Sequence, residues 1–358
     1  MVKINKEGVR KMKRLAKRIL VGTLSLAMLL TCVTGCGDKK QDDATGEDGK
    51  IVVKISMTEN TDSLDYARCV KFTEDVNAAC DDAFDFQIYA NGSLGDFTAV
   101  NAECIEGTVE MIYGGLSPSI NPLAASTIIS YLCITPDDAL TAFAKDSFAY
   151  NKTLELCEQE NLKFLGFDFN GSCGMALRTA APANPLSVGG GNGLQIRVPS
   201  DPVQRAVLTE LGYIPASIDW SEVYSSLQSG VIDGFIGATA LTAASQFSDV
   251  ITSYYDINLM TSVNTIVVSN VLWDKLTDDQ KAAFELYGGN KLADSIEDYK
   301  NATADAYSKL EAAGVNVVVP SDEEMDAIVE IARENWSQLK DSYGEEFYND
   351  LMAAYGLE

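Results

Sequence analysis

Few side chains in this sequence could do chemistry on a small molecule, and arginine is scarce among them. The 358 residues contain no histidine. Imidazole is therefore excluded as general base, as triad member and as metal ligand. Neither a G-x-S-x-G elbow nor a G-x-x-x-x-G-K-[ST] loop occurs. Beyond residue 35 the arginines are Arg68, Arg178, Arg197, Arg205 and Arg333. Arg197 is set apart by its position. It lies near the end of a segment in which Leu194, Ile196 and Val198 alternate with Gln195 and Arg197, and Ser200 can cap a following helix. Open α/β sheets hold ligands beyond the carboxyl ends of strands, where helix N-termini also point. A guanidinium there offers a planar fork matched to a carboxylate. Arg178, in Met175-Ala176-Leu177-Arg178-Thr179, is a second candidate. Each arginine is equally suited to a salt bridge with one of the many acids. Trp220, Phe235 and Tyr113 are aromatic candidates for a cleft wall, and all three also suit a core.

Other groupings carry less. Gly189-Gly190-Gly191-Asn192-Gly193 precedes a strand instead of following one, so it reads as a connection and not as a phosphate loop. Asp322-Glu323-Glu324 opens a helix, where carboxylates favour the dipole, and Asp81, Asp82 and Asp85 read as solvated. No metal and no cofactor is called for. Cys69, Cys80, Cys104, Cys133, Cys157 and Cys173 form no C-x-x-C pair, and their pairing is left open.

The elements that must position these residues alternate between strand and helix. Ile51, Val53, Ile55 and Met57 mark a strand, and Leu64 to Ala79 has helical spacing. Phe84 to Ala90 alternates again. Asp96 caps a helix stopped by Gly107, and Val109, Met111 and Tyr113 give a third strand. Lys163 to Phe169 is a strand ending at the turn pair Asn170-Gly171. Ser200 and Ser221 cap helices ending at Gly212 and Gly230. Thr277-x-x-Gln280 is a capping box opening a helical stretch to Gly314, interrupted only at Gly288-Gly289 and long enough to lie across two domains. Val315 to Val319 is a short strand, and Ser321-x-x-Glu324 caps the last helices. This order favours an α/β fold with a largely parallel, helix-covered sheet.

Charge is unevenly spread. Residues 1–18 carry eight basic side chains and one acid, and residues 19–35 carry none. A basic segment followed by a short apolar one reads as an export signal, too short for a membrane span. Val33-Thr34-Gly35-Cys36 resembles the lipobox of bacterial lipoproteins. That implies a signal peptide over 1–35, a lipidated Cys36 holding the protein at the cell membrane from outside, and a flexible tether over 36–50. After residue 35 the chain has 19 basic and 51 acidic side chains, a net charge of −32. That balance argues against nucleic-acid binding.

Three segments together resemble a known family. They are Gly193-Leu194-Gln195-Ile196-Arg197-Val198-Pro199, Pro202-Val203-Gln204, and Trp220-Ser221-Glu222-Val223-Tyr224 through Gly230-Val231-Ile232-Asp233-Gly234. They are similar to the signature of TRAP (tripartite ATP-independent) transporter solute receptors of the C4-dicarboxylate-binding type. Asn91-Gly92-Ser93-Leu94-Gly95 and Gly107-Thr108-Val109-Glu110-Met111 resemble the same family's first-domain pattern. The resemblance implies a two-lobed, periplasmic-binding-protein-like (type II) fold with crossing strands and a long helix spanning both lobes. Lobe I would take 51–175 plus about 264–300, and lobe II 176–263 plus about 301–358. A small organic acid would sit between them, its carboxylate on Arg197 with help from Arg178, and Trp220 lining the cleft. Phe235, Tyr113 and Asn264 stand with these as ligand-contact candidates. Where many members continue Asp-Gly with Gln-Glu-Asn-Pro, this chain has Phe235-Ile236-Gly237-Ala238, so one polar contact is missing and the site is more apolar.

The resemblance implies a receptor and not an enzyme, delivering its solute to multi-span membrane subunits. A receptor for another importer class, such as the ABC type, would share the two-lobed logic. An exported lyase or hydrolase would need a convincing carboxylate pair, which the sequence does not offer. A sensory or structural lipoprotein retaining the fold is a further alternative.

Overall fold

The structure, a computed structural model, describes residues 49–132, 135–199, 201–289 and 291–357. Within them, strands β1 (Ile51–Ser56), β2 (Phe84–Tyr89), β3 (Met111–Gly114), β4 (Leu162–Leu177), β5 (Gln195–Val198), β6 (Ile214–Ser217), β7 (Gly234–Ala238), β8 (Ser253–Ser269) and β9 (Asn316–Val318) share one sheet. The long strands β4 and β8 run antiparallel along almost their full length, from the Leu162–Ser269 pair to the Leu177–Ser253 pair. Each half of this pair carries its own set of neighbours. The Leu162 end of β4 and the Ser269 end of β8 complete the order β2-β1-β3-β8-β4. The opposite ends complete β9-β8-β4-β7-β5-β6. Two α/β lobes thus share two crossing strands. The expected parallel pairing holds for β1 with β2 and β3, and for β5 with β6 and β7. It is corrected at the centre, where β4 and β8 pair antiparallel.

Asn170-Gly171, expected as a turn that ends a strand, instead lies inside β4. The register with β8 shifts between Phe169 and Gly171, the signature of a bulge that re-aims a strand. Gly171 has φ +142°, and a Cβ there would lie 2.4 Å from the Tyr299 ring and 2.7 Å from Thr239. Only glycine fits both the dihedral and the approach. Tyr299 comes from the helix Leu292–Ala312, which follows Asp278–Gly288 after the predicted glycine break. Its first half (Leu292, Ile296, Tyr299) packs with Phe167 and Phe169. Its second half (Ala306, Leu310) packs with Ala176 and Phe235. One helix therefore clamps both lobes across the bulge.

The caps are local. Ser63, Asp96, Thr277 and Ser321 accept backbone N–H bonds at helix starts, the last two as full capping boxes. The helix Pro202–Glu210 is capped by Asp201, not by Ser200, which lies outside the described residues. Trp220 belongs to a 3-10 turn, Trp220–Glu222, that leads into Val223–Ser229, and neither element has a side-chain cap bond. Among the described cysteines, Cys69, Cys80, Cys104, Cys157 and Cys173 are free thiols. Cys36, Cys133 and the export signal over 1–35 lie outside the described residues. No described helix is long and apolar enough to cross a membrane.

Two predictions follow from this packing. Gly171→Ala should lower unfolding stability by about 1–3 kcal/mol in denaturant titration. A loss below a few tenths would mean that the bulge tolerates a side chain. Asp201 is buried, and burial raises its pKa from 3.8 to about 6 against its bonds from Gln204 and Ser130. The folded state then binds the proton more tightly than the unfolded one. Stability contributed here falls as pH rises through that window, and the cost persists at neutral pH. Asp201→Asn keeps the cap, so it should stabilise by on the order of 1–3 kcal/mol near pH 7 and by little near pH 4. Equal gains at both pH values would refute the assignment.

Candidate functional site

Alternation along β5 decides where Arg197 points. Ile196 and Val198 enter one apolar cluster, so Arg197 faces the other side of the sheet. There it is 6 % exposed. Its Nε donates to the Ile218 carbonyl at 2.8 Å and its Nη1 to the Ile236 carbonyl at 3.2 Å. The guanidinium carbon stands 5.4 Å from the Trp220 ring centroid, a cation–π contact. Among the described residues no carboxylate comes within ion-pair distance. Burial accordingly pulls the Arg197 pKa down to about 10, with only partial opposition from Asp219 and Cys173. Trp220 is half-buried and is steadied by edge contacts to Phe235 at 6.0 Å and Phe247 at 5.5 Å. Gly237, which stands where the Asp-Gly continuation departs from the commoner pattern, leaves space against Nη1. A Cβ there would sit 3.3 Å away.

The other expected residues divide. Phe235 is fully buried beneath Trp220 and Phe247 and supports the wall without forming it. Arg178 lies at the start of β7, 3.6 Å from Asp233 and 3.4 Å from the Ile232 carbonyl. The structure therefore gives Arg178 the acid partner that Arg197 lacks and does not bring the two arginines together. Cys173, on β4, is a buried free thiol. Burial pushes this thiol up to about 12, Glu59 adds to the rise, and Arg197 works against it.

Tyr113 and Asn264 meet each other's partners in a polar cluster inside lobe I. Arg68 donates from Nε to Asp168 at 2.8 Å, and from Nη2 to Asp65 at 2.9 Å and to the Phe169 carbonyl at 3.0 Å. The Tyr113 hydroxyl donates to Asp168, and Asn264 donates to Asp65 Oδ1 at 2.9 Å. Burial raises both carboxyl pKa values, Asp65 further because Asp168 repels it. Asp168 and Asp65 in turn hold Arg68 protonated against its own burial. The cluster ties the helix Leu64–Ala79 to β3, β4 and β8. Sequence reading missed Arg68, Asp65 and Asp168 because nothing marks residues 100 positions apart as partners.

A cavity of about 280 Å³ lies where the lobes meet. Glu59, Asp62 and Asp65 line it from lobe I, Asn170 from the bulge, Thr239 and Thr242 from the segment after β7, and Asp305 and Lys309 from the long helix. Thr239 lies two residues beyond Gly237, so the cavity and Arg197 share the end of β7. Glu59 has its pKa raised by burial, against a bond from Asn170. Among the described residues no group of three potential metal ligands converges.

The model of the family described as bacterial extracellular solute-binding protein, family 7, matches residues 55–342. A solute-binding protein of Roseobacter denitrificans is 25 % identical over 237 residues, 65 % of this chain and 71 % of its own. The sialic acid-binding periplasmic protein SiaP of Vibrio cholerae is 21 % identical over 305 residues, 84 % of this chain and 92 % of its own. A TRAP periplasmic solute-binding protein of Desulfovibrio salexigens, solved with bound orotic acid, superposes with a TM-score of 0.74 at 16 % identity, covering 86 % of this chain and 98 % of that one.

The buried cluster makes a prediction that does not depend on any ligand. Asp168→Ala takes from the Arg68 guanidinium its fully buried acid and leaves it Asp65, the Phe169 carbonyl and a longer, 3.9 Å pair with the exposed Asp298. It should cost about 3–5 kcal/mol in equilibrium unfolding. A cost under about 1 kcal/mol would show that the cluster contributes nothing to lobe I.

Proposed function

Given that this chain belongs to the bacterial extracellular solute-binding proteins of family 7, as a TRAP solute receptor and not an enzyme, we propose that it captures a small organic acid between its lobes, the acid's carboxylate docking on Arg197. The observation that carries this reading is a buried guanidinium with two carbonyl acceptors, an indole face and no counter-ion among the described residues. A carboxylate there would gain charge-assisted bonds in a site where water screens little. It would also relieve the burial that pulls the arginine's pKa down. Trp220 forms the wall behind the ligand, with Phe235 and Phe247 fixing its angle. The relatives named for sialic acid and orotic acid take ligands that carry an acid group, in keeping with an arginine at this position.

Capture proceeds by closure. The lobes, 51–175 with about 264–300 and 176–263 with about 301–358, turn about the β4 bulge at Asn170-Gly171 and the long helix. A ligand shifts this equilibrium only through contacts it makes better in the closed state. The closed receptor then meets multi-span membrane subunits that accept the solute. Lipid on Cys36 holds the receptor at the outer face of the cell membrane, the polar tether giving it reach. The net charge of −32 beyond residue 35 repels anions at long range. Recognition of an acid must therefore be local, within a Debye length of Arg197.

A thermal-shift screen against organic acids tests this. A binding acid should raise the melting temperature, as binding to the native state alone requires. Arg197→Gln should weaken it at least about a hundredfold by calorimetry, the cost of losing a charge-assisted pair. Undiminished binding in the variant would place the carboxylate elsewhere.

A further inference from the structure

We propose that Asp298 is a positioning residue for closure. Its carboxylate takes the one nitrogen that Arg68 leaves unused, and the bond forms fully only when the lobes shut on a solute. This rests on the reading that the protein captures its solute by closure, and it adds a residue that regulates that step.

The donors of Arg68 are not all in use. Nε serves Asp168 at 2.8 Å, and Nη2 serves both Asp65 at 2.9 Å and the Phe169 carbonyl at 3.0 Å. Nη1 is buried and has no hydrogen-bond partner among the described residues. A buried donor left unpaired costs free energy, more so on a charged group. Asp298 Oδ2 stands 3.9 Å from this nitrogen, within reach of its charge but beyond hydrogen-bond length. A shift of about 1 Å would complete the bond. The Asp298 side chain is 55 % exposed, so packing does not hold it at that distance.

Position ties this gap to the cleft. Asp65 lines the cavity from the start of the helix Leu64–Ala79, and Arg68 follows it by one turn. Ala302 and Asp305 line it from the long helix, and Asp298 precedes Ala302 by one turn. Two walls of the cavity thus run on, one turn beyond it, into the two partners of the pair. Arg68 also holds the Phe169 carbonyl, one residue before the Asn170-Gly171 bulge. A solute that draws the two walls together therefore narrows the 3.9 Å gap as well. The completed bond then counts toward the closed state alone and favours it. Asp298 is not among the residues lining the cavity, so it acts through Arg68 and not on the solute.

The test uses the full chain with 5-fluorotryptophan at its three tryptophans, Trp220, Trp273 and Trp336. Trp220 flanks Arg197 and reports on the cleft. In fluorine NMR without solute, Asp298→Asn should change the position or exchange broadening of the Trp220 signal and leave the other two unmoved. Asp298→Glu, which keeps the charge, should restore the wild-type signal. At about 1 M salt the wild type and Asp298→Asn should converge, as loss of an ion pair requires and a merely structural role would not. Because Asp298 is exposed, the unfolding midpoint should stay in place. Calorimetry then takes orotate, sialic acid and D-glucuronate as probes. An acid that binds should bind Asp298→Asn about twofold to fivefold more weakly, and Asp298→Glu as the wild type does. An unchanged Trp220 signal, or equal affinity in Asp298→Asn, overturns the inference, and where none of the three acids binds the fluorine signal decides alone. If Asp298→Asn has no effect while Arg197→Gln abolishes acid binding, the acid-capture reading stands without the Asp298 contact. Acid binding indifferent to both substitutions would remove both.

Discussion

A positive charge held out of water without a negative partner is the constraint on which the rest of this structure depends. Arg197 would be costly if it were only structural, since two carbonyls and an indole face do not match the hydration of a guanidinium. Everything near it limits that cost without removing it. β5 delivers the side chain to the face opposite its apolar neighbours, the 3-10 turn at Trp220 supplies the indole, Ile218 just before it supplies a carbonyl, and Gly237 withholds a side chain. The arrangement makes physical sense as one half of a charge pair whose other half arrives from solution.

The contrast with Arg68 sharpens this. Arg68 is half-buried, but acids hold it and its pKa is pushed up, whereas that of Arg197 is pulled down. One arginine fastens a helix to β4, and the other has carbonyls and an indole but no acid among the described residues. Between them the β4 bulge and the long helix let two α/β lobes share a backbone while packing into separate cores. A binding protein needs such a division, because closure must cost little until a solute bridges the halves.

Much of this was legible in the residues, for reasons that are local. Caps at Ser63, Asp96, Thr277 and Ser321 and the glycine stops at Gly107 and Gly230 act over three or four residues, and their signals survive in any context. Arg197 was legible because alternation in β5 sets a charged residue apart from its apolar neighbours Ile196 and Val198. β8 was not read as a strand. It is buried on both faces over part of its length, and Asp256, Asn258, Asn264 and Thr265 break the two-residue pattern. Asn170-Gly171 looked like a turn because a bulge uses the same residue types. Tyr113 and Asn264 drew notice as polar groups on strands, yet their partners Asp168 and Asp65 are set by tertiary packing. The same holds for Asp233, which occupies Arg178.

The most direct measurement is a crystal structure of the protein with an acid that stabilises it. The account predicts an anionic oxygen within about 3 Å of an Arg197 guanidinium nitrogen, with the Trp220 indole flanking the ligand. An Arg197 neutralised instead by one of the protein's own carboxylates, with the solute's acid group bound away from it, would contradict the account.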